Sequence, residues 1–376
     1  MSIYTGESMK IGILTPSIYM YKKRYSGRIF APGMLARHLA AGLVRRGHEV
    51  TWFTAPGETS GHIVPGDRKL LENDLQIRIF QDISAKDNIS LYGTKMYYEM
   101  DLLTRAYRQA KKDHLDVLHH FHSFGFLAHF FEEITGVPTL YTLHDPMPTE
   151  DMLERWLFDR FPTHTYLSIS NSQRGTMGKF FYDTVYNGID ISLFPFDAVG
   201  GERLIAAGRM VPDKGHDVSI AVAKRAGLPL IIASWVSATI QKSPYYKEKI
   251  EPFIDGKDIQ VYSMMEGSDL AKFYQKARAF LFPIQWEEPF GLVMIEAMAC
   301  GTPVIAYNHG SVPEIVKDGV TGFIVEPERG IEGLVEAVGR IGEIDRAACR
   351  RHVEENFTVE KMVEGYERVY RKVLGK

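Results

Sequence analysis

The chain has 376 residues, about two and a half times the ~150-residue prior for a single domain, so two packed domains are expected. With 45% hydrophobic and 24% charged residues it has the make-up of a soluble globular enzyme, which excludes a disordered, collagen-like or coiled-coil chain. Lys and Arg number 44 against 47 Asp and Glu, and a net charge of −3 argues against a dedicated nucleic-acid binder.

The N-terminus, MSIYTGESMKIGILTP, lacks the unbroken apolar stretch of a secretory signal. Residues 1–8 read as a leader before a first strand at Lys10. Short buried-strand runs then alternate with helical patterns: KIGILT, EVTWFT, LQIRIF, DVLHHF, PTLYTL and TYLSIS are the strands. Between the first two, PGMLARHLAAGLVRRG places Leu35, Leu39 and Leu43 four residues apart, with Pro32 suited to its first turn and Gly47 to its end. Such alternation predicts βαβ units around a parallel sheet covered on both faces. The pattern stops at NGIDISLFPFDAVGGE and restarts with RLIAAG, LPLIIAS, DIQVYS, AFLFP, TPVIAY and GFIV. Helices are expected from Lys214, near Tyr245, from Asp269 and from Gly291 between these strands, and Thr358 to Leu374 reads as one amphipathic helix. The expected layout is an acceptor-side domain over 1–190, a linker at 191–200 and a nucleotide-binding domain over 201–357. A final helix at 358–376 is expected to cross back onto the first domain. Two doubly wound sheets joined this way would hold a two-part ligand in a deep cleft between their carboxyl edges. No apolar run reaches the ~18 residues that span a bilayer. Cys300 and Cys349 cannot build a disulfide framework and favour a reducing, cytoplasmic home; Cys300 reads as a small core residue.

Two segments carry chemistry. In FLFPIQWEEPFGLVMIEAMACGTPVIA a strand ends at Pro283, Glu288 sits in the following loop, and Glu296 lies about one and a half turns into a helix. Gly291 lets a ligand approach backbone, and the N–H groups of Phe290, Gly291 and Leu292 stand at a helix N-terminus where they can meet phosphate or sugar oxygens. In AAGRMVPDKGHD, Arg209 and Lys214 flank a turn made by Pro212 and Asp213. Two cations on one post-strand loop suit a diphosphate, to which charge-assisted hydrogen bonds contribute roughly 1.5–3 kcal/mol each. Carboxylates that accept from sugar hydroxyls, beside cations and amides that hold phosphate, point to a polyhydroxylated, phosphate-bearing ligand.

These segments, with GSVPEIVKDGVTGFIVEP and, earlier, RRGHEVTWFT, YTLHDP and VYNGID, resemble the retaining glycosyltransferases of family four, the group 1 glycosyltransferases, which have the GT-B fold. The resemblance runs over nearly the whole chain from Lys10 and is strongest in residues 203–327. It implies a nucleoside-diphosphate sugar as co-substrate, no further cofactor and no metal. Arg209 and Lys214 would hold the diphosphate, Glu288 would orient the donor sugar, and Glu296 would bind the ribose diol. Ser263 and Met264 would meet the nucleobase, and His144 would sit close to the transferred sugar. The chemistry implied uses no enzyme nucleophile: the departing diphosphate takes the acceptor proton on the same face of the sugar. Two features depart from the family pattern. Phe30 and Ala31, followed by Pro32 and Gly33, stand where relatives carry a Gly-Gly pair, and WVSA follows LPLIIAS where relatives have glycines.

On the acceptor side, MYKKRYSGRIF interleaves Lys22, Lys23, Arg24 and Arg28 with aromatic rings, and residues 10–46 hold eight Lys or Arg and no acid. A solvated loop is one reading; an anionic acceptor or an anionic membrane surface is the other. His119, His120, His122 and His129 lack the spacing of a zinc pattern; a strand end that feeds the cleft fits better, with His119 or His120 at the acceptor. Trp286 either stacks on a sugar or packs its loop. The expected activity is retaining hexosyl transfer from a nucleotide sugar, UDP-linked first and GDP-linked next, to a small-molecule, glycan or lipid-linked acceptor. The alternatives are a GT-B phosphorylase or epimerase-like reaction, or a sugar-nucleotide binding protein without turnover.

Overall fold

The structure is a computed structural model and describes residues 7–21, 30–72, 88–121, 126–263, 265 and 267–376. It divides into two compact units. The first takes Met1–Ile169, Thr176–Val185 and Met362–Lys376; the second takes Ser170–Gly175 and Tyr186–Lys361.

The first unit is built on seven strands: β1 (Lys10–Leu14), β2 (Glu49–Thr54), β3 (His62–Pro65), β4 (Val117–His120), β5 (Thr139–Thr142), β6 (Thr165–Ser168) and β7 (Phe181–Thr184). They are parallel throughout, in the order β3-β2-β1-β4-β5-β6-β7. Every residue of β4 and β5 is buried, as both faces of a parallel sheet are covered. The two strands that the sequence does not announce, β3 and β7, are the sheet edges. Their half-exposed HIVP and FYDT lack an apolar run. The expected strand LQIRIF lies outside the described residues. Helix α1 (Ala31–Arg45) carries Pro32 in its first turn and buries Leu35, Leu39 and Leu43.

The second unit has six parallel strands: β8 (Arg203–Ala207), β9 (Leu230–Ala233), β10 (Ile259–Tyr262), β11 (Ala277–Phe282), β12 (Val304–Tyr307) and β13 (Gly322–Val325). Their order is β10-β9-β8-β11-β12-β13. The helices that bear on the site are α2 (His216–Ala226), α3 (Gly267–Gln275), α4 (Leu292–Ala299) and α5 (Val312–Ile315). Helix α2 starts two residues later than expected. Pro212–Lys214 closes a tight turn first, and Gly215 follows with a left-handed backbone. In both units the chain winds outward from its first strand to one edge, then returns to the fourth. The order therefore reverses between β1 and β4 and between β8 and β11, where doubly wound sheets receive ligands at their carboxyl ends.

The segment read as a linker is fastened to the second unit. Arg346 donates to the carbonyls of Asp197, Ala277 and Gln275, and Arg350 donates to that of Phe194. From Met362 on, helix α6 (Val359–Leu374) belongs to the first unit. There Tyr370 Oη lies 2.6 Å from His119 Nδ1, and Glu367 accepts from Arg46 at 2.6 Å and from Arg371 at 3.1 Å. Among the described residues no helix is long and apolar enough to cross a membrane.

Candidate active site

In the second unit, two loops leave the sheet on either side of its switch point. The first, after β8, buries Met210 and so turns its neighbour Arg209 outward. The exposed Arg209 guanidinium pairs with no acid among the described residues. Its carbonyl is held by His216 Nε2 at 3.2 Å. Burial pulls the His216 imidazole down to about 4, so the ring is neutral near pH 7. A carbonyl only accepts, so the ring proton sits on Nε2. His216 escapes sequence reading, because a histidine at the first position of a helix carries no distinctive pattern.

The second loop, after β11, is tied to the first by the Gln285 N–H, which donates to the Asp213 carbonyl at 2.8 Å. It brings Glu288 to Lys214: Nζ lies 2.5 Å from Oε2, and both side chains are only 12% exposed. Trp286 Nε1 donates to the same oxygen at 3.0 Å, and the Lys214 ammonium lies 5.0 Å from the Trp286 ring and 5.8 Å from that of Phe282. The indole therefore packs the loop and shares the lysine charge. A third loop, after β12, clamps this arrangement. The Gly310 N–H donates to Glu287 Oε2 at 2.7 Å, the Ser311 N–H to the Glu288 carbonyl at 2.9 Å, and Ser311 Oγ to the Phe290 carbonyl at 2.7 Å. A Cβ on Gly310 would stand 2.4 Å from the Glu288 backbone N and O, and its φ of +55° is left-handed, so the clamp requires glycine. The motif GSVPE holds these two residues, but their role shows only in three dimensions.

Helix α4 begins one residue past Gly291, whose φ is +79°. The N–H groups of Phe290, Gly291 and Leu292 meet no acceptor among the described residues, while the Phe290 ring is buried near those of Tyr186 and Phe357. Further along α4, Glu296 accepts from Tyr274 Oη at 2.7 Å. Burial raises the Glu296 carboxyl above its usual range, and the Tyr274 hydrogen bond opposes that rise. Among the described residues, no hydrogen bond or ion pair joins Arg209 or Glu296 to the Lys214–Glu288 pair. Ser263 is exposed just past β10 and lines a hollow of about 500 Å³ with Tyr262, Met265 and Arg203. Arg209, Lys214, Glu288 and Glu296 do not line it. Met264 lies outside the described residues.

In the first unit, His144 lies two residues past β5, with its ring 4.7 Å from that of Phe121. Burial holds it down to about 3, so it is neutral. His120 is buried at the end of β4. His119 differs from the expected acceptor contact: its ring is fully buried, and its nitrogens are engaged by Tyr370 and by Thr142 at 2.7 Å. It is a core residue, with the Tyr370 hydroxyl of α6 at one ring nitrogen and the Thr142 hydroxyl at the other. His129 pairs with His164, Nδ1 to Nδ1 at 2.9 Å, and stacks on Tyr141. Lys22, Lys23, Arg24, Arg28 and His122 lie outside the described residues.

Two parallel, Rossmann-like units wound in this order make up the GT-B fold. Family models agree: glycosyl transferases group 1 match residues 197–356, and Glycosyltransferase Family 4 matches residues 33–193. The chain belongs to this family of group 1, family 4 glycosyltransferases. Among solved structures it is similar to Anabaena HepE in complex with UDP and glucose, with a TM-score of 0.69 and 16% identity over 96% of this chain and 99% of that one. It is also similar to sucrose-phosphate synthase from Thermosynechococcus elongatus, with a TM-score of 0.70 and 18% identity over 97% and 99%. Among curated proteins, a D-inositol 3-phosphate glycosyltransferase of Mycobacterium bovis is 30% identical over 213 residues, 51% of this chain and 44% of that one. An uncharacterized 41.2 kDa protein in the cps region of Klebsiella pneumoniae is 28% identical over 172 residues, 45% and 46%. The matched stretch thus spans about half the length of these curated relatives.

Proposed function

We propose that the chain is a retaining, metal-independent glycosyltransferase that moves a hexose from a nucleoside-diphosphate sugar to a small-molecule, glycan or lipid-linked acceptor on the cytoplasmic side. The observation that carries this is the meeting of two loops at the switch point of the six-stranded sheet, where Lys214 and Glu288 are in contact and the loop of Lys214 also carries the exposed Arg209. The Lys214 ammonium has three donors. One serves Glu288, and the others are available to diphosphate oxygens, with Arg209 and the amides at the start of α4 completing the anion site. Glu288 would accept from sugar hydroxyls and Glu296 from the ribose diol. In the transfer itself, the bond from the sugar C1 to the diphosphate oxygen breaks while the acceptor oxygen bonds C1 on the same face. The acceptor proton passes to the departing diphosphate. Arg209 and Lys214 stabilise the charge that builds on that leaving group, so catalysis is electrostatic and positional. Neutral His144 would hydrogen-bond the sugar rather than act as a cation. A UDP-sugar is favoured over a GDP-sugar because the HepE structures hold UDP and UDP-glucose.

The test is a thermal-shift screen with UDP-, GDP- and ADP-hexoses. A donor at 100 times its Kd stabilises by about 2.7 kcal/mol, roughly 5–10 °C for a unit of this size. Arg209→Ala should melt like the wild type alone and lose that shift, together with most transfer. Absence of a shift with all three donors would refute the assignment.

A further inference from the structure

The carboxylate of Glu296 is held from behind by one side chain. Tyr274 sits near the end of α3, and its ring is fully buried beside Phe194, Phe273 and Phe280. Its backbone is pinned as well: Thr302 Oγ1 donates to the Tyr274 carbonyl at 2.6 Å and accepts from Arg346 Nη2 at 2.9 Å. The ring can therefore neither swing out nor slide, and its single hydroxyl proton goes to Glu296 Oε2 at 2.7 Å. No other hydrogen bond to this carboxylate is made among the described residues. Glu296 is nevertheless not sealed in the core: the residue keeps part of its surface open, and its Oε1 is not among the buried unpartnered atoms. One oxygen is tethered and the other is presented outward. Helix α3 also follows directly on the loop that carries Ser263, so the same helix links the expected base contact to the expected ribose contact.

We propose that Tyr274 is a positioning residue for the donor nucleotide: its hydroxyl fixes Oε2 of Glu296 in one orientation, so that Oε1 accepts from the ribose diol. This rests on the function proposed above. A glutamate has three side-chain torsions, and fixing them before the ligand arrives removes an ordering cost from binding. A partly desolvated carboxylate with one donor also depends strongly on that donor.

The experiment compares UDP with 2′,3′-dideoxy-UDP by calorimetry on the full chain, with the GDP and ADP pairs alongside. The wild type should bind UDP at least about tenfold more tightly than its dideoxy counterpart, the effect of one hydrogen bond to a charged group. Tyr274→Phe keeps the buried ring and removes only the hydroxyl. It should cut the preference to below about threefold, while dideoxy-UDP affinity stays within about twofold of wild type, which also shows that the site is folded. Glu296→Gln should lose the same preference, and the double variant should lose no more than either single one. Retention of the full preference in Tyr274→Phe, or equal weakening of both nucleotides, would overturn the positioning role. A wild type that binds UDP without preferring the diol would overturn both the ribose role of Glu296 and this inference, and leave the donor reading in place. A wild type that binds none of the nucleotides overturns the proposed function itself.

Discussion

Replacement of Lys214 by Met, with Glu288 left in place, strands a carboxylate that is only 12% exposed. At an effective dielectric of ~20, charges in contact attract by roughly 4–6 kcal/mol, and desolvation of both groups offsets much of this. Breaking a fully buried pair costs about 3–5 kcal/mol. Here Trp286 Nε1 goes on donating to Glu288, so a loss of about 2–3 kcal/mol is expected from the second unit. Glu288→Gln leaves Lys214 over the Trp286 and Phe282 rings and should cost less, about 1–2 kcal/mol. The double variant has no stranded charge, so its loss should fall short of the sum by at least about 1 kcal/mol. Calorimetry at low ionic strength resolves these effects: about 2–3 kcal/mol lowers the melting temperature by roughly 4–12 °C for a unit of this size. Under the proposed function transfer should be nearly lost in all three variants: Lys214→Met and the double variant lack the cation for the diphosphate however stable the fold, and Glu288→Gln lacks the carboxylate that accepts from the sugar hydroxyls. Strictly additive losses would show that the 2.5 Å contact is not an energetic pair, and normal turnover in the double variant would remove both residues from the reaction.

Gly310→Ala should lower stability by about 2 kcal/mol and shrink the donor-induced thermal shift, since the added methyl meets the Glu288 backbone in a left-handed residue. An unchanged melting point with an unchanged donor shift would mean that the β12 loop does not hold Glu288. Acid should destabilise the fold through its buried neutral histidines. His216 and His144 are held by burial to about 4 and about 3, against an ordinary 6.5. Their contribution is complete above pH 6.5 and falls as pH drops toward those values, because the unfolded chain takes up the protons first. The slope is about 1.4 kcal/mol per pH unit for each histidine. Glu132, which burial pushes up to about 7, works in the opposite sense between about pH 7 and 4.5 and softens the decline there. Melting curves from pH 7 to 4 check this, and a flat profile would contradict the burial of these rings.

Both sheets are legible in the sequence because a strand covered on both faces must be apolar along its length, as in VIAY of β12. The edge strands β3 and β7 are not, since one flank faces water and HIVP carries no apolar run. At the site, the residue types and their spacing name Arg209, Lys214, Glu288 and Glu296. The sequence does not tell which of them touch. The spacing of Glu288 and Glu296 draws attention to that pair, yet the contact formed is Lys214 to Glu288, across two loops. Tyr274 is invisible for a different reason: a tyrosine on the apolar face of an amphipathic helix reads as packing, and its hydroxyl contact cannot be inferred from periodicity. His119 shows the limit most clearly. A histidine at a strand end looks the same whether its nitrogens are open or engaged, and the Tyr370 that engages one of them is 251 residues away.

That last contact governs how the molecule can be cut and recombined. A fragment that stops at Val185 would strip Arg46 of Glu367 and leave a bare imidazole edge where Tyr370 belongs. Hybrids that exchange the bulk of the second unit between relatives therefore need two seams, one near residue 186 and one near 361, so that the closing helix travels with the opening sheet.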